Sequence, residues 1–195
     1  MIYVFTFIII VLLILVIYYS FWNKYINSFS IKYNFLSKND FNQLKILLKK
    51  YKLQNDTRII ERKSVCIMDK TIQDLIYAYF RYAENPPSYP VEYRKYDTGS
   101  KGMQMHKDID LFDNKDYYEA VLTLENTSDS RFLYNDKSVW LPPNTLVLVK
   151  PNTIIHGVSP VTKGYRTILK FIICSNCSGL ENKNFFIEAN NCPFS

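Results

Sequence analysis

The chain has 195 residues, a formal net charge of +6, 48% hydrophobic residues and 22% charged residues. That length supports one domain of ordinary size. A basic balance can point to an anionic membrane surface or to nucleic acid, but the lysines are scattered and not blocked, so they read as a solvated surface. Internal repeats and low-complexity tracts are absent, which sets aside solenoids and linker-like chains.

The first 23 residues carry no charged side chain, and Ile2 to Tyr19 is almost wholly apolar, with Trp22 and Tyr25 flanking it. A run of that length predicts a single membrane-crossing helix, because it can span a hydrocarbon core with aromatic residues at the interface. A cleaved signal peptide fits less well: there is no basic leader, and Tyr18-Tyr19-Ser20 is a poor cleavage site. Lys24, Lys32, Lys38, Lys45, Lys49 and Lys50 all follow the run, which by the positive-inside rule keeps the domain on the cytosolic side. The sequons at Asn55, Asn126 and Asn176 point the other way, and the side stays open. The organisation expected is an anchor over 1–23, a linker over 24–36, a helical support region over 37–90, a β core over 91–177 and a tail over 178–195. The part from about Phe35 onward is expected to carry the fold.

Ser37 to Tyr51 predicts a helix, capped by Ser37 or Asn39, with Phe41, Leu44, Leu48 and Tyr51 on one face. Asn55-Asp56 breaks it, and Arg58 to Met68 reads as extended. Asp69 caps a second helix, Lys70 to Ala83, with Ile72, Leu75, Ile76, Tyr79 and Phe80 as its buried stripe. Asn85-Pro86-Pro87-Ser88-Tyr89-Pro90 is a loop that no helix can cross. Strand-like segments follow: 91–97, 103–108, 117–124, 131–134 with 138–141, 145–149, 154–158 and 165–174. Turn signals separate them, among them Thr98 to Gly102, Pro142-Pro143-Asn144 and Lys163-Gly164. Short strands at this spacing predict a sandwich or barrel. In the tail, Phe185-Phe186-Ile187 reads as a docking strand. Of Cys66, Cys174, Cys177 and Cys192, one or two disulfides tying the tail to the barrel are expected, with free thiols, a zinc site and a redox dithiol as the other readings.

His106 and His156 are the only histidines, and Asp108 follows His106 by two. On an extended chain that spacing points both side chains the same way. Two imidazoles and a carboxylate make the facial triad of non-haem Fe(II) oxygenases, which leaves the opposite face of the metal open. Asp110 is a rival for Asp108. Arg166 lies ten residues after His156.

The run His156-Gly157-Val158-Ser159-Pro160-Val161-Thr162-Lys163-Gly164-Tyr165-Arg166, with the earlier His106-Lys107-Asp108, resembles the motif of the 2-oxoglutarate/Fe(II)-dependent dioxygenases. It is most similar to the prolyl and lysyl hydroxylase group, and the likeness covers roughly Val91 to Cys174. The resemblance implies a double-stranded β-helix (jelly roll) of two facing sheets, with helices packed under one of them. It implies His106, Asp108 and His156 as ligands of Fe(II), with 2-oxoglutarate and O2 completing the coordination and ascorbate as an accessory reductant. Arg166 takes the family position for gripping the far carboxylate of 2-oxoglutarate, and Tyr96 the position of a tyrosine that lends its hydroxyl. Met103 and Thr123-Leu124 depart from family positions often held by tyrosine. The activity implied is hydroxylation of a prolyl or lysyl side chain of a protein or peptide, coupled to decarboxylation to succinate.

Two other functions stand beside it. One is oxidative demethylation of nucleic acid, supported only by the basic balance and opposed by Thr167-Ile168-Leu169-Lys170, where that class carries further arginines. The other is an inert jelly-roll protein of a membrane or virion. The bias toward Ile, Asn, Lys, Tyr and Phe is that of an AT-rich genome, such as that of a large virus.

Overall fold

The structure is a computed structural model, and it describes residues 28–55, 61–80, 89–112 and 116–174, together with Ile10 and Leu12. The expected membrane helix, the Asn85–Ser88 part of the proline loop and the tail from Ser178 lie outside the described residues, those two positions apart. Among the described residues no helix is long and apolar enough to cross a membrane.

Eleven strands and two helices are described: β1 (Phe29–Lys32), α1 (Lys38–Leu48), β2 (Gln54–Asn55), β3 (Arg62–Ile67), α2 (Lys70–Tyr77), β4 (Val91–Tyr96), β5 (Met103–His106), β6 (Tyr117–Asn126), β7 (Phe132–Tyr134), β8 (Lys137–Val139), β9 (Thr145–Val149), β10 (His156–Val158) and β11 (Arg166–Cys174). They form a seven-stranded sheet, β1-β9-β6-β11-β4-β3-β2, and a four-stranded sheet, β5-β10-β7-β8.

Both helices begin where the sequence has a cap. The Ser37 hydroxyl accepts from Asp40 N at 3.1 Å, and the Asp69 carboxylate accepts from Thr71 N at 2.8 Å. Helix α1 buries Phe41, Leu44 and Leu48, and α2 buries Ile72 and Ile76. They lie on one face of the large sheet, against Val65, Ile67, Val91, Ala120, Leu122, Leu146, Leu169 and Phe171. Side chains alternate across a strand, so the neighbours of these residues face the other way, toward the small sheet. There Val147 and Val149 pack with Phe132, Leu141 and Ile154. The result is two facing sheets with one outer face covered by helices, the jelly-roll arrangement expected.

Three departures from the sequence reading have local causes. The stretch expected as linker contains β1, whose Phe29 to Lys32 pair with Val149 to Leu146 of β9; Phe29 stacks at 6.0 Å on Phe132, so an alternating Phe29/Ile31 pattern too short to stand out is fixed by its partner. Asn55, read together with Asp56 as a helix breaker, lies with Gln54 in a two-residue strand paired with β3. β3 bears out the extended reading of Arg58 to Met68, but it is an integral strand of the large sheet, paired along its length with β4, so the region over 37–90 is not only a helical support. Cys66 and Cys174 are both disulfide-bonded, which sets aside the thiol and zinc readings for them.

Candidate metal centre

His106 closes β5 and His156 opens β10, and the two are direct partners across the antiparallel ladder. Close approach of these strands depends on two glycines. A Cβ on Gly157 would sit 2.8 Å from the Met103 carbonyl oxygen, and Gly102, at φ +73, would put one 2.2 Å from the Val158 carbonyl. The imidazole centroids are 4.6 Å apart. Asp108, just past β5, turns its carboxylate between them, with Oδ1 3.3 Å from His106 Nε2 and Oδ2 3.4 Å from His156 Nε2. One donor atom from each of the three residues lies within 4.8 Å of the others.

Both imidazoles are oriented by backbone. His106 Nδ1 donates to the Gln104 carbonyl at 2.8 Å, and His156 Nδ1 to that of Ile154 at 3.3 Å. With the proton on Nδ1, each Nε2 keeps its lone pair for the space beside Asp108, as a metal ligand requires. Burial pushes the His156 imidazole down, and this outweighs the upward pull of Asp108, so the ring stays neutral. The rival carboxylate, Asp110, is turned away and accepts from Asn152 Nδ2 at 2.7 Å.

The three residues line one end of a cavity of about 280 Å³ between the sheets. Its inner wall is the inward face of β3, β4, β11 and β6, and register arranges that wall in rows. Arg62, Tyr96 and Arg166 form one row, as direct partners across β3, β4 and β11. Arg94 lies in the next row and Lys170 in the one after. Arg166 is 6% exposed, its Nε has no hydrogen-bond partner, and its guanidinium carbon lies 5.3 Å from the centroid of the Tyr96 ring. Burial works to raise the Tyr96 phenol, but the Arg94, Arg62 and Arg166 charges outweigh it and hold the phenol below its ordinary value. Burial alone pushes the Arg166 guanidinium down. An orphaned, buried guanidinium nitrogen is a costly feature, and a carboxylate entering the cavity would satisfy it.

Two ion pairs lie among the inward charges of the described residues. Arg94 Nε donates to Glu92 Oε2 at 2.9 Å, and its Nη2 meets the same oxygen. Lys170 Nζ lies 2.6 Å from Glu119 Oε2, with side-chain exposures of 16% and 8%. The sequence reading brought His106, Asp108, His156, Tyr96 and Arg166 forward, and all five line this one cavity. It missed Arg62, Glu92, Arg94, Glu119 and Lys170. The available signal was period-two alternation: in Val91-Glu92-Tyr93-Arg94 and in Leu169-Lys170-Phe171 one face is apolar and covered, so the charges between point inward.

Comparison by sequence finds no matching protein-family model and no matching curated protein. Comparison by structure does find similar folds. The chain is similar to an oxidoreductase of the 2OG-Fe(II) oxygenase family from Burkholderia pseudomallei, with a TM-score of 0.57 and 13% identity over 78% of this chain and 86% of that one. The fold is that of the 2-oxoglutarate/Fe(II) oxygenases. It is similar also to a prolyl hydroxylase from Trichoplax adhaerens in complex with a hypoxia inducible factor peptide fragment, at a TM-score of 0.55 and 15% identity over 75% and 83% of the two chains. HygX from Streptomyces hygroscopicus, with nickel, 2-oxoglutarate and hygromycin B bound, matches at a TM-score of 0.53 and 10% identity over 75% and 82%.

Proposed function

We propose that the protein is a 2-oxoglutarate- and Fe(II)-dependent dioxygenase that hydroxylates a prolyl or lysyl side chain of a protein or peptide. The observation that carries this reading is a pair: three metal donors within 4.8 Å of one another at one end of the cavity, and an orphaned, buried Arg166 Nε within it. The likeness of fold to a 2OG-Fe(II) oxygenase family member and to HygX with nickel and 2-oxoglutarate bound supports it.

His106, Asp108 and His156 would hold the iron, and Arg166 with Tyr96 the far carboxylate of 2-oxoglutarate. When bound, the iron with 2-oxoglutarate and O2 supplies oxidation of an unactivated C–H bond, coupled to decarboxylation to succinate. The chain's own part is to bind and to orient. Gln104 and Ile154 carbonyls hold the imidazoles in one tautomer. Apolar Phe132, Leu141, Val147 and Val149 line part of the cavity wall. Met103, Met105, Ile109 and Ile155 lie within three residues of the donors and are exposed, an apolar surround suited to an uncharged ring such as a prolyl side chain. The peptide bound to the Trichoplax prolyl hydroxylase supports a peptide substrate.

We also propose that residues 1–23 anchor the chain to a membrane and that the catalytic part faces an oxidising compartment. The disulfide-bonded Cys66 and Cys174 support that side against the lysine count. Protease protection of the membrane-bound chain tests it: a catalytic part digested from the cytosolic face would refute the assignment. The activity is tested by incubating proline- and lysine-containing peptides with the full chain, Fe(II), 2-oxoglutarate and O2. A peptide gaining one oxygen, with matching succinate and no gain for His156→Ala, is the expected result. No metal-dependent loss of 2-oxoglutarate with any peptide would leave the inert reading standing.

A further inference from the structure

We propose that the mouth of the metal centre is docked on the lipid bilayer, which restricts the substrate to polypeptide segments held at the membrane surface. The inference rests on the anchor and the activity proposed above and adds to them the orientation of the domain. Two independent observations carry it: where the chain enters the domain, and what surrounds the metal donors.

The chain enters beside the metal centre. The Ser28 carbonyl accepts from Lys150 N at 2.8 Å and from the Thr153 hydroxyl at 3.4 Å. The same turn, 150–153, holds a metal donor: Asn152 N donates to the Asp108 carbonyl at 2.9 Å. His156 opens β10 three residues further on. Strand direction agrees. Phe29 pairs with Val149 at the end of β9, whereas Arg166, Thr167 and Glu125 lie at the other end of the large sheet. Between residue 23 and Ser28 stand only Lys24, Tyr25, Ile26 and Asn27. That tether reaches at most about 18 Å. The ten residues of β6 extend about 34 Å. A tether about half as long as the sheet keeps the metal end, and not the Arg166 end, next to the bilayer.

The surface at that end is apolar. Met103, Met105, Ile109 and Ile155 are each about half exposed, and each lies within three residues of a metal donor. Met105 and Ile155 adjoin histidines that point inward, so alternation turns both to the outer face of the small sheet. Lys107, exposed between His106 and Asp108, can lay its stem on this patch and keep its ammonium at the level of the lipid phosphates. A clustered apolar patch of this kind marks a docking surface. The tether decides the occupant, because the bilayer is the apolar phase it keeps within reach. Side chains such as these enter the interfacial region by about 5–10 Å.

The test uses the full chain in phosphatidylcholine vesicles, made with or without bromine near the top of the acyl chains. Bromine quenches tryptophan emission on contact, and the parent's Trp22 and Trp140 set the background to be subtracted. Ile155→Trp is expected to add emission that brominated lipid lowers about twofold or more, as insertion into the interface requires. Ile109→Trp should do the same and stands in should the first variant fail to fold. Ile46→Trp is the control: it is exposed on α1 beside Glu125 and Thr167, at the far end of the sheet, and its added emission should not change with bromine. Unquenched tryptophan at both 155 and 109, in a chain that floats with the vesicles, overturns the docking and leaves the patch to the substrate alone. Equal quenching at 46 also overturns it, since the domain would then have no fixed face. A chain that does not float refutes the anchor, and the docking with it. The substrate class is read separately. Whichever peptide gains oxygen in the activity assay is given a lipid chain on a spacer of about five or about thirty residues. The short spacer should serve as well as the long one; turnover with the long spacer only overturns the restriction. Hydroxylation of no peptide at all counts against the proposed activity and not against the docking, which quenching reads without turnover.

Discussion

Lys170→Met tests the physics of the cavity most directly. Lys170 projects inward from β11 and reaches diagonally across to Glu119 of β6, which pairs with Ile172. The 2.6 Å contact joins side chains that are 16% and 8% exposed, so neither charge has ample water as an alternative. Removing the ammonium strands a buried carboxylate, and breaking such a pair costs about 3–5 kcal/mol. For a chain of this size each kcal/mol lowers Tm by roughly 2–4 °C, so a fall of roughly 6–20 °C is expected. Adding Glu119→Leu should recover most of it, because a well-packed apolar pair replaces a buried ionic one at little net cost. The pH dependence gives an independent check. Burial already raises the Glu119 carboxyl above its ordinary value, against the opposing pull of Lys170. Without Lys170 it rises further, so the folded state binds the proton more tightly than the unfolded one. Stability from that difference is fully present below the unfolded pKa and is lost as pH rises through the folded one. The single variant should therefore regain stability as pH falls from 7 toward about 4.5. The assay is thermal unfolding in chelator, so that metal binding adds nothing. A double variant as unstable as the sum of the single ones, with a pH-independent loss, would refute the reasoning and leave Lys170 as a packing residue.

Arg166→Ala should raise the 2-oxoglutarate requirement sharply and leave iron affinity nearly unchanged, as separate titrations of each would read; equal losses would make Arg166 a structural residue. Gly157→Ala forces a methyl toward the Met103 carbonyl and the Met105 sulfur at 2.8 and 3.1 Å, which should part β5 from β10 and weaken metal binding, at about 1–3 kcal/mol in stability. The Asp129 carboxyl is held at about 2 by the Thr162 hydroxyl and the Thr162 and Lys163 amides. Being depressed, it stabilises above its unfolded pKa and the contribution is lost as pH falls toward about 2, so Asp129→Asn should flatten acid unfolding in that window. A chain beginning at Ser28 should stay monodisperse by size exclusion, whereas one beginning at Phe35 loses β1 and bares the β9 edge, and should aggregate.

What the chain determined by itself is whatever depends on near neighbours. Ser37 and Asp69 cap helices within three residues of themselves, and the His106-to-Asp108 spacing sets two side chains on one side of a strand end. The alternation of β4, β9 and β11 separates a covered apolar face from an inner one. The motif from His156 to Arg166 carries enough of this local pattern to identify the barrel. Tertiary structure decided everything that depends on register between distant strands. It set His156 opposite His106, turned Asp110 toward Asn152 in place of the metal centre, and attached β1 to β9. It also put Arg62 in one row with Tyr96 and Arg166, and Lys170 against Glu119. These pairings span from about 50 to more than 100 residues of chain in most cases, and nothing in a strand of three to ten residues encodes its partner's register. Burial on both faces of the large sheet selects that register, and only the folded sheet can express it.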